Sequence, residues 1–132
     1  MKCEVLQRVR YHETDVGGSA SERAFIYWMD SVRNEFLRRF PKLTDALKDG
    51  KVSLRTLNIM FQITDENYCD YDDLILITAE AEIYDNGTVR FEYTLSDENG
   101  NKIATGMSVH ALYENGVILK KKDFEKEYLA KE

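Results

Sequence analysis

The segment Glu13-Thr14-Asp15-Val16-Gly17-Gly18 places a carboxylate just ahead of a glycine pair, and a helix is predicted to follow. A carboxylate there can do two kinds of work. It can close an Asx-turn by accepting backbone N–H groups ahead of it. It can also act as a base or nucleophile. The helix start adds a complementary resource. Its first N–H groups lack intrahelical partners, and the dipole favours negative charge there, so it can hold a developing oxyanion. Gly17 and Gly18 permit close approach to the backbone and angles closed to other residues. Other chemistries have weaker support. His12 and His110 lie far apart and Cys3 and Cys69 form no Cys-x-x-Cys, so no metal site is expected. No P-loop or dinucleotide fingerprint is present, so no cofactor is expected. Cys69 would need a histidine beside it to serve as a nucleophile, and His110 is expected to be structural.

These residues need elements to position them. Residues 3 to 11 read as a strand, with Val5, Val9 and Tyr11 on one face. Ser19 stands three residues before Glu22, the spacing of a capping box. Phe25, Trp28, Met29, Val32 and Phe36 then recur at helical spacing. The run Ala24-Phe25-Ile26-Tyr27-Trp28-Met29 is apolar all round, so this half of the helix is expected to be buried on most sides. Pro41 should stop the helix nearby, and residues 44 to 49 could add one more turn. After residue 52 the chain reads as four long alternating strands. Asn-Gly at 86–87, 99–100 and 115–116 predicts hairpins and an antiparallel meander. The architecture is therefore α+β, a long central helix wrapped by a curled five-stranded antiparallel sheet. The charged tail, 120 to 132, carries Phe124 and Tyr128 at helical spacing and reads as a solvated turn or short helix.

Composition narrows the possibilities. The chain has 132 residues, 43% hydrophobic and 32% charged, which suits one domain, residues 1–132, with an ordinary core. A net charge of −6 argues against non-specific nucleic-acid binding and against anionic membrane surfaces. No apolar run is long enough for a membrane span, and no signal peptide is visible. A cytoplasmic location is expected.

Read together, Arg8-Val9-Arg10-Tyr11-His12-Glu13-Thr14-Asp15-Val16-Gly17-Gly18, Phe25-Ile26-Tyr27-Trp28-Met29-Asp30 and Arg33-Asn34-Glu35 resemble the hotdog-fold acyl-CoA thioesterases of the 4-hydroxybenzoyl-CoA thioesterase type. Tyr71-Asp72-Asp73-Leu74 resembles the approach to that family's third strand. Asn99-Gly100-Asn101-Lys102-Ile103-Ala104-Thr105-Gly106 resembles its later hairpin. The likeness covers about residues 5 to 113.

The resemblance implies a hotdog fold, a homodimer or homotetramer with active sites between subunits, and hydrolysis of an acyl-CoA thioester. It implies that Asp15 is the catalytic carboxylate. It implies the backbone N–H of Glu22 as oxyanion donor and Tyr11 as part of the acyl pocket, with Gly17 and Gly18 admitting the substrate. The chain departs from the pattern in two places, and it also lacks the motif of the hydratases of this fold. Ser19-Ala20-Ser21-Glu22 puts a carboxylate beside Asp15, and a capping box there would occupy the Glu22 N–H. Tyr68-Cys69-Asp70 replaces a run that usually ends in arginine, so no coenzyme A contact is assigned to it. Ala20 stands where hydratases of this fold carry histidine. Arg55, Arg90 and Lys102 are candidate phosphate ligands, each more simply read as a surface charge. The competing readings are a non-catalytic hotdog that binds an acyl group or serves as a scaffold, and a thioesterase acting on acyl carrier protein.

Overall fold

Alternation along the chain produces the sheet, and the helix crosses its inner face. The computed structural model describes residues 1–64 and 68–129. In chain order the elements are β1 (Lys2–Arg8), a 3-10 turn (Tyr11–Glu13), α1 (Glu22–Leu37), α2 (Pro41–Lys48), β2 (Val52–Ile63), β3 (Leu74–Ile83), β4 (Thr88–Ser96), β5 (Lys102–Glu114), the short β6 (Val117–Ile118) and α3 (Lys121–Phe124), which runs on as a wider π-turn (Glu125–Leu129). The strands lie in the order β1-β3-β4-β5-β2, all pairings antiparallel, with β6 hydrogen-bonded to β5. The sheet therefore has six strands, the predicted five and a two-residue addition.

The meander holds only from β3 to β6. The three Asn-Gly turns join β3 to β4, β4 to β5 and β5 to β6, and the glycine of each has positive φ. The β2–β3 connection has no such turn, and β2 crosses to the far edge beside β5. A bulge between Thr56 and Asn58 breaks the predicted alternation and leaves Leu57 exposed.

α1 spans 16 residues and buries Ala24, Phe25, Trp28, Met29, Val32 and Phe36. They pack against Ile75, Ile77, Phe91, Tyr93 and Ile103 on the sheet. Burial of each large side chain is worth roughly 1.5–3 kcal/mol. At Gly106 helix and strand approach so closely that a Cβ would lie 2.4 Å from the Met29 sulfur, which explains the missing side chain. The all-round burial predicted for the first half of α1 fails at Ile26 and Tyr27. Tyr27 is 64% exposed, because the sheet covers only one side of the helix within a single chain. α2 begins at Pro41, whose fixed φ suits a first helical position, and is longer than the predicted turn.

Two further expectations are corrected. The first strand ends at Arg8 rather than residue 11, because the Arg10 N–H is captured by the Glu13 side chain at 2.8 Å and the chain turns. Tyr11 therefore leaves the strand face and is 80% exposed, while Val9 stays in the core. The tail is helical from Lys121 to Leu129 and not merely solvated, and its last residues, 130–132, lie outside the described residues. Phe124 is 3% exposed and Tyr128 4% exposed. With Leu129, Phe124 closes the apolar space between Phe36, Leu43, Leu54 and Phe91. No helix is long and apolar enough to cross a membrane among the described residues.

Candidate active site

The loop before α1 is built by backbone pairing. Asp15 N–H donates to Ser19 C=O at 2.7 Å, Ser21 N–H to Glu13 C=O at 2.7 Å, and Gly18 N–H to Asp15 C=O at 3.1 Å. The Asp15 carboxylate takes part through one oxygen only. Oδ1 accepts Gly17 N–H at 2.8 Å and Ser19 N–H at 3.3 Å, an Asx-type closure. Oδ2 takes no hydrogen bond among the described residues. One oxygen of the carboxylate thus closes the loop, while the other is not used in doing so. Gly18 has φ 84°, a conformation that favours glycine, whereas Gly17 does not use the left-handed region.

A second segment braces the loop from below. Ala20 N–H donates to Cys69 C=O at 2.9 Å, Tyr71 N–H to Gly18 C=O at 3.0 Å, and Ser19 Oγ to Asp70 Oδ1 at 2.8 Å. Tyr68 OH donates to Ala20 C=O. The asparate at position 70 therefore orders the loop.

Ser19 is thus committed to Asp70, and the predicted capping box does not form. Ser21 is the N-cap and offers no side-chain hydrogen bond. Ala24 N–H reaches Ser21 C=O at 3.0 Å, while the Glu22 and Arg23 N–H groups meet no acceptor among the described residues. The helix start is open, as an oxyanion donor requires. Burial pushes the Tyr68 phenol pKa up, with further contributions from Cys69, Asp15, Glu22 and Asp70, so this phenol senses both the loop carboxylate and the first helical residue. Tyr11 stands beside the same loop through an edge-to-face contact with Tyr71 at 6.0 Å. Asp15, Gly17 and Gly18 thus share one hydrogen-bonded loop, Glu22 is the first residue of the helix that follows it, and Tyr11 stands at the margin.

The other titratable candidates have surroundings of their own. Burial pushes the Cys69 thiol up to about 12, helped by Asp73, Asp70 and Glu13, so it is no thiolate at neutral pH. His110 lies in a chain of side chains inside the sheet. Its Nε2 is 2.7 Å from Ser108 Oγ and its Nδ1 is 3.1 Å from Thr56 Oγ1. Ser108 Oγ is 2.7 Å from Tyr93 OH, which accepts from Arg33 at 3.0 Å, and Arg33 pairs with Asp30. Burial first, and then the Arg33 charge, push the His110 pKa down to about 4, so the imidazole is neutral near pH 7. Arg90 pairs with Glu92 at 3.1 Å and Arg55 sits 4.2 Å over the Tyr113 ring. No cluster of metal-binding side chains occurs among the described residues.

Glu13 and Tyr68 were not among the candidates read from sequence. Tyr68 reaches the loop from a distant segment, which spacing cannot reveal. Glu13 carried one usable signal, its place two residues before Asp15, but nothing in the sequence announces a buried carboxylate.

No protein-family model matches the chain, and no curated protein matches it. Solved structures do. A 1,4-dihydroxy-2-naphthoyl-CoA thioesterase from Synechocystis superposes with a TM-score of 0.78 at 13% identity, over 87% of this chain and 84% of that one. A gentisyl-coenzyme A thioesterase gives 0.76 at 19% identity, over 89% and 94%. A DHNA-CoA thioesterase from Staphylococcus aureus gives 0.76 at 14% identity, over 95% and 82%. The chain has the α+β architecture of these proteins, a curled antiparallel sheet packed on helices. The sequence resemblance to hotdog-fold thioesterases thus holds at the level of the fold.

Proposed function

We propose that this chain hydrolyses acyl thioesters at the junction of the 14–20 loop and the start of α1. The observation that carries the reading is the open helix start, with Glu22 and Arg23 N–H groups unpaired among the described residues, next to a loop carboxylate with one uncommitted oxygen. Asp15 Oδ2 takes a proton from water as the water oxygen attacks the thioester carbonyl. Direct attack by Asp15, giving an anhydride that water then opens, is the other route available to the same atom. The carbonyl oxygen becomes an oxyanion and accepts the Glu22 N–H. Collapse breaks the C–S bond, the departing thiolate takes back the proton held on Asp15 and leaves as the thiol, and a free acid remains. Gly17 and Gly18 leave the approach clear of side chains, and Tyr11 lines the acyl side.

The substrate we assign is an acyl-CoA, in keeping with the CoA thioesters named for the similar structures. We also propose a homodimer or homotetramer. Ile26 and Tyr27 on α1 and Leu57, Ile59 and Met60 on edge strand β2 are exposed apolar side chains, and β2 is an outermost strand along which a second copy could pair. A thioesterase of the reducing cytoplasm is the setting that two unpaired cysteines fit. A carrier-protein substrate is less favoured by a net charge of −6, since carrier proteins are typically acidic. The test is a panel of acyl-CoAs, short aliphatic to aromatic, with matched acyl carrier proteins, following release of free thiol. Turnover of at least one acyl-CoA is expected. Binding without turnover across the panel would favour the acyl-binding or scaffold reading.

A further inference from the structure

Among the described residues, Glu13 is the only carboxylate in the interior, 7% exposed. Both of its oxygens are engaged. Oε2 accepts the Trp28 indole N–H at 2.7 Å, and Oε1 accepts the Arg10 N–H at 2.8 Å. Its backbone is engaged as well, with the C=O taking Ser21 N–H at 2.7 Å and the N–H reaching Arg10 C=O at 2.9 Å. One residue therefore joins the start of the 3-10 turn, the last residue before α1 and the middle of α1. Asp15 follows two positions later and is held to Ser19 at 2.7 Å, with the Thr14–Ala20 bridge between.

Burying a carboxylate costs desolvation, and packing alone would be served by an apolar side chain of similar volume. What the site requires is an acceptor at two places at once, because two N–H donors converge from different segments. Glutamine supplies one acceptor and turns an NH₂ toward the other donor. The chemistry of the residue therefore matches a clamp better than it matches filler.

Resting on the thioesterase reading above, we infer that Glu13 is a positioning residue that fixes the Asp15 carboxylate relative to the Glu22 N–H. The base and the oxyanion donor lie on different segments, the loop and the helix. Glu13 refers both to one frame, through Trp28 on the helix side and through Arg10 and Ser21 on the loop side. A small displacement of a catalytic group from its working geometry is enough to cost about 10²-fold in rate.

The test uses Trp28→Phe, which keeps an aromatic ring and removes one donor, and Glu13→Gln, which keeps the shape and removes one acceptor. Phe36→Leu, a core change at the other end of α1, is the control for lost stability. All are assayed well below their melting transitions. The expected result is kcat lowered roughly 10- to 100-fold in both variants, with KM within about threefold of wild type. The double variant should be no slower than the slower single one, and the control should keep its kcat. Amide exchange at Asp15 and Ser21 should quicken while Leu112 in β5 stays protected. Unchanged kcat in both variants, or faster exchange without loss of kcat, would overturn the inference. A wild type that hydrolyses no thioester removes the thioesterase reading instead. The exchange data then decide the clamp alone: selective quickening supports it, and uniform or absent change overturns it. If Glu13→Gln does not fold, Trp28→Phe carries both readouts.

Discussion

Replacing Asp15 with asparagine separates its two jobs. Oδ1 receives two backbone N–H groups, at 2.8 and 3.3 Å, and an asparagine carbonyl can receive both. The amide nitrogen then takes the place of Oδ2, which has no hydrogen bond among the described residues. The loop should survive, with a stability loss of less than about 1 kcal/mol, since only the charge assistance of exposed hydrogen bonds is lost. Base chemistry should not survive. Loss of a positioned general base is worth roughly 10²–10⁴-fold in rate. The assay is kcat on the best acyl-CoA for wild type and Asp15→Asn, with melting temperatures alongside. Asp15→Ala serves as contrast: it loses the base and both loop hydrogen bonds, so its melting temperature should fall below that of the asparagine variant. An asparagine variant with the full rate would refute the reasoning and leave Asp15 a turn residue.

Three other outcomes are expected. Trp28→Ala should cost about 3–5 kcal/mol, read by denaturant unfolding, because the indole is buried on the core side of α1. Phe124→Ala should cost a similar amount, about 3–5 kcal/mol, since the tail closes the core; an unchanged unfolding midpoint would return the tail to solvent. His110 has a folded pKa of about 4 against 6.5 for the free group. The unfolded chain therefore binds more protons between those values, and stability falls as pH drops through that window, by up to about 3 kcal/mol. His110→Gln should flatten the wild-type decline between pH 6.5 and 4, measured as the difference between the two unfolding curves; parallel curves would count against a buried neutral imidazole.

Local pattern carried much of the architecture. Alternation in β3, β4 and β5 and the Asn-Gly pairs were enough to place three strands and their turns, because both are properties of neighbouring residues. The core face of α1 was legible for the same reason. Strand order was not. Nothing near residues 52–63 says that they pair with β5 rather than β3. The tail misled because its charges outnumber Phe124 and Tyr128, while burial depends on where a side chain lands. At the site, Asp15, Gly17, Gly18 and Glu22 are close in sequence and were found together. The state of the Glu22 N–H was not legible, since Ser19 could cap the helix or turn to Asp70, 51 positions away, and it turns to Asp70. Glu13 and Tyr68 escaped for a related reason: their roles are defined by partners from other segments.

The side-chain chain from Asp30 through Arg33, Tyr93, Ser108 and His110 to Thr56 has a consequence for how the edge strand finds its place. A two-residue slip of β2 along β5 would keep its apolar side chains pointing inward, so hydrophobic patterning alone does not forbid it. In one direction the slip would set Leu54, in place of Thr56, opposite His110, and leave the imidazole Nδ1 without a partner in the interior. An unmet buried polar group costs about 1–3 kcal/mol. The polar chain thus works as a proofreading device against that alignment, which greasy surfaces would accept. It does so on an outermost strand, where a wrong alignment is also an invitation to aggregation.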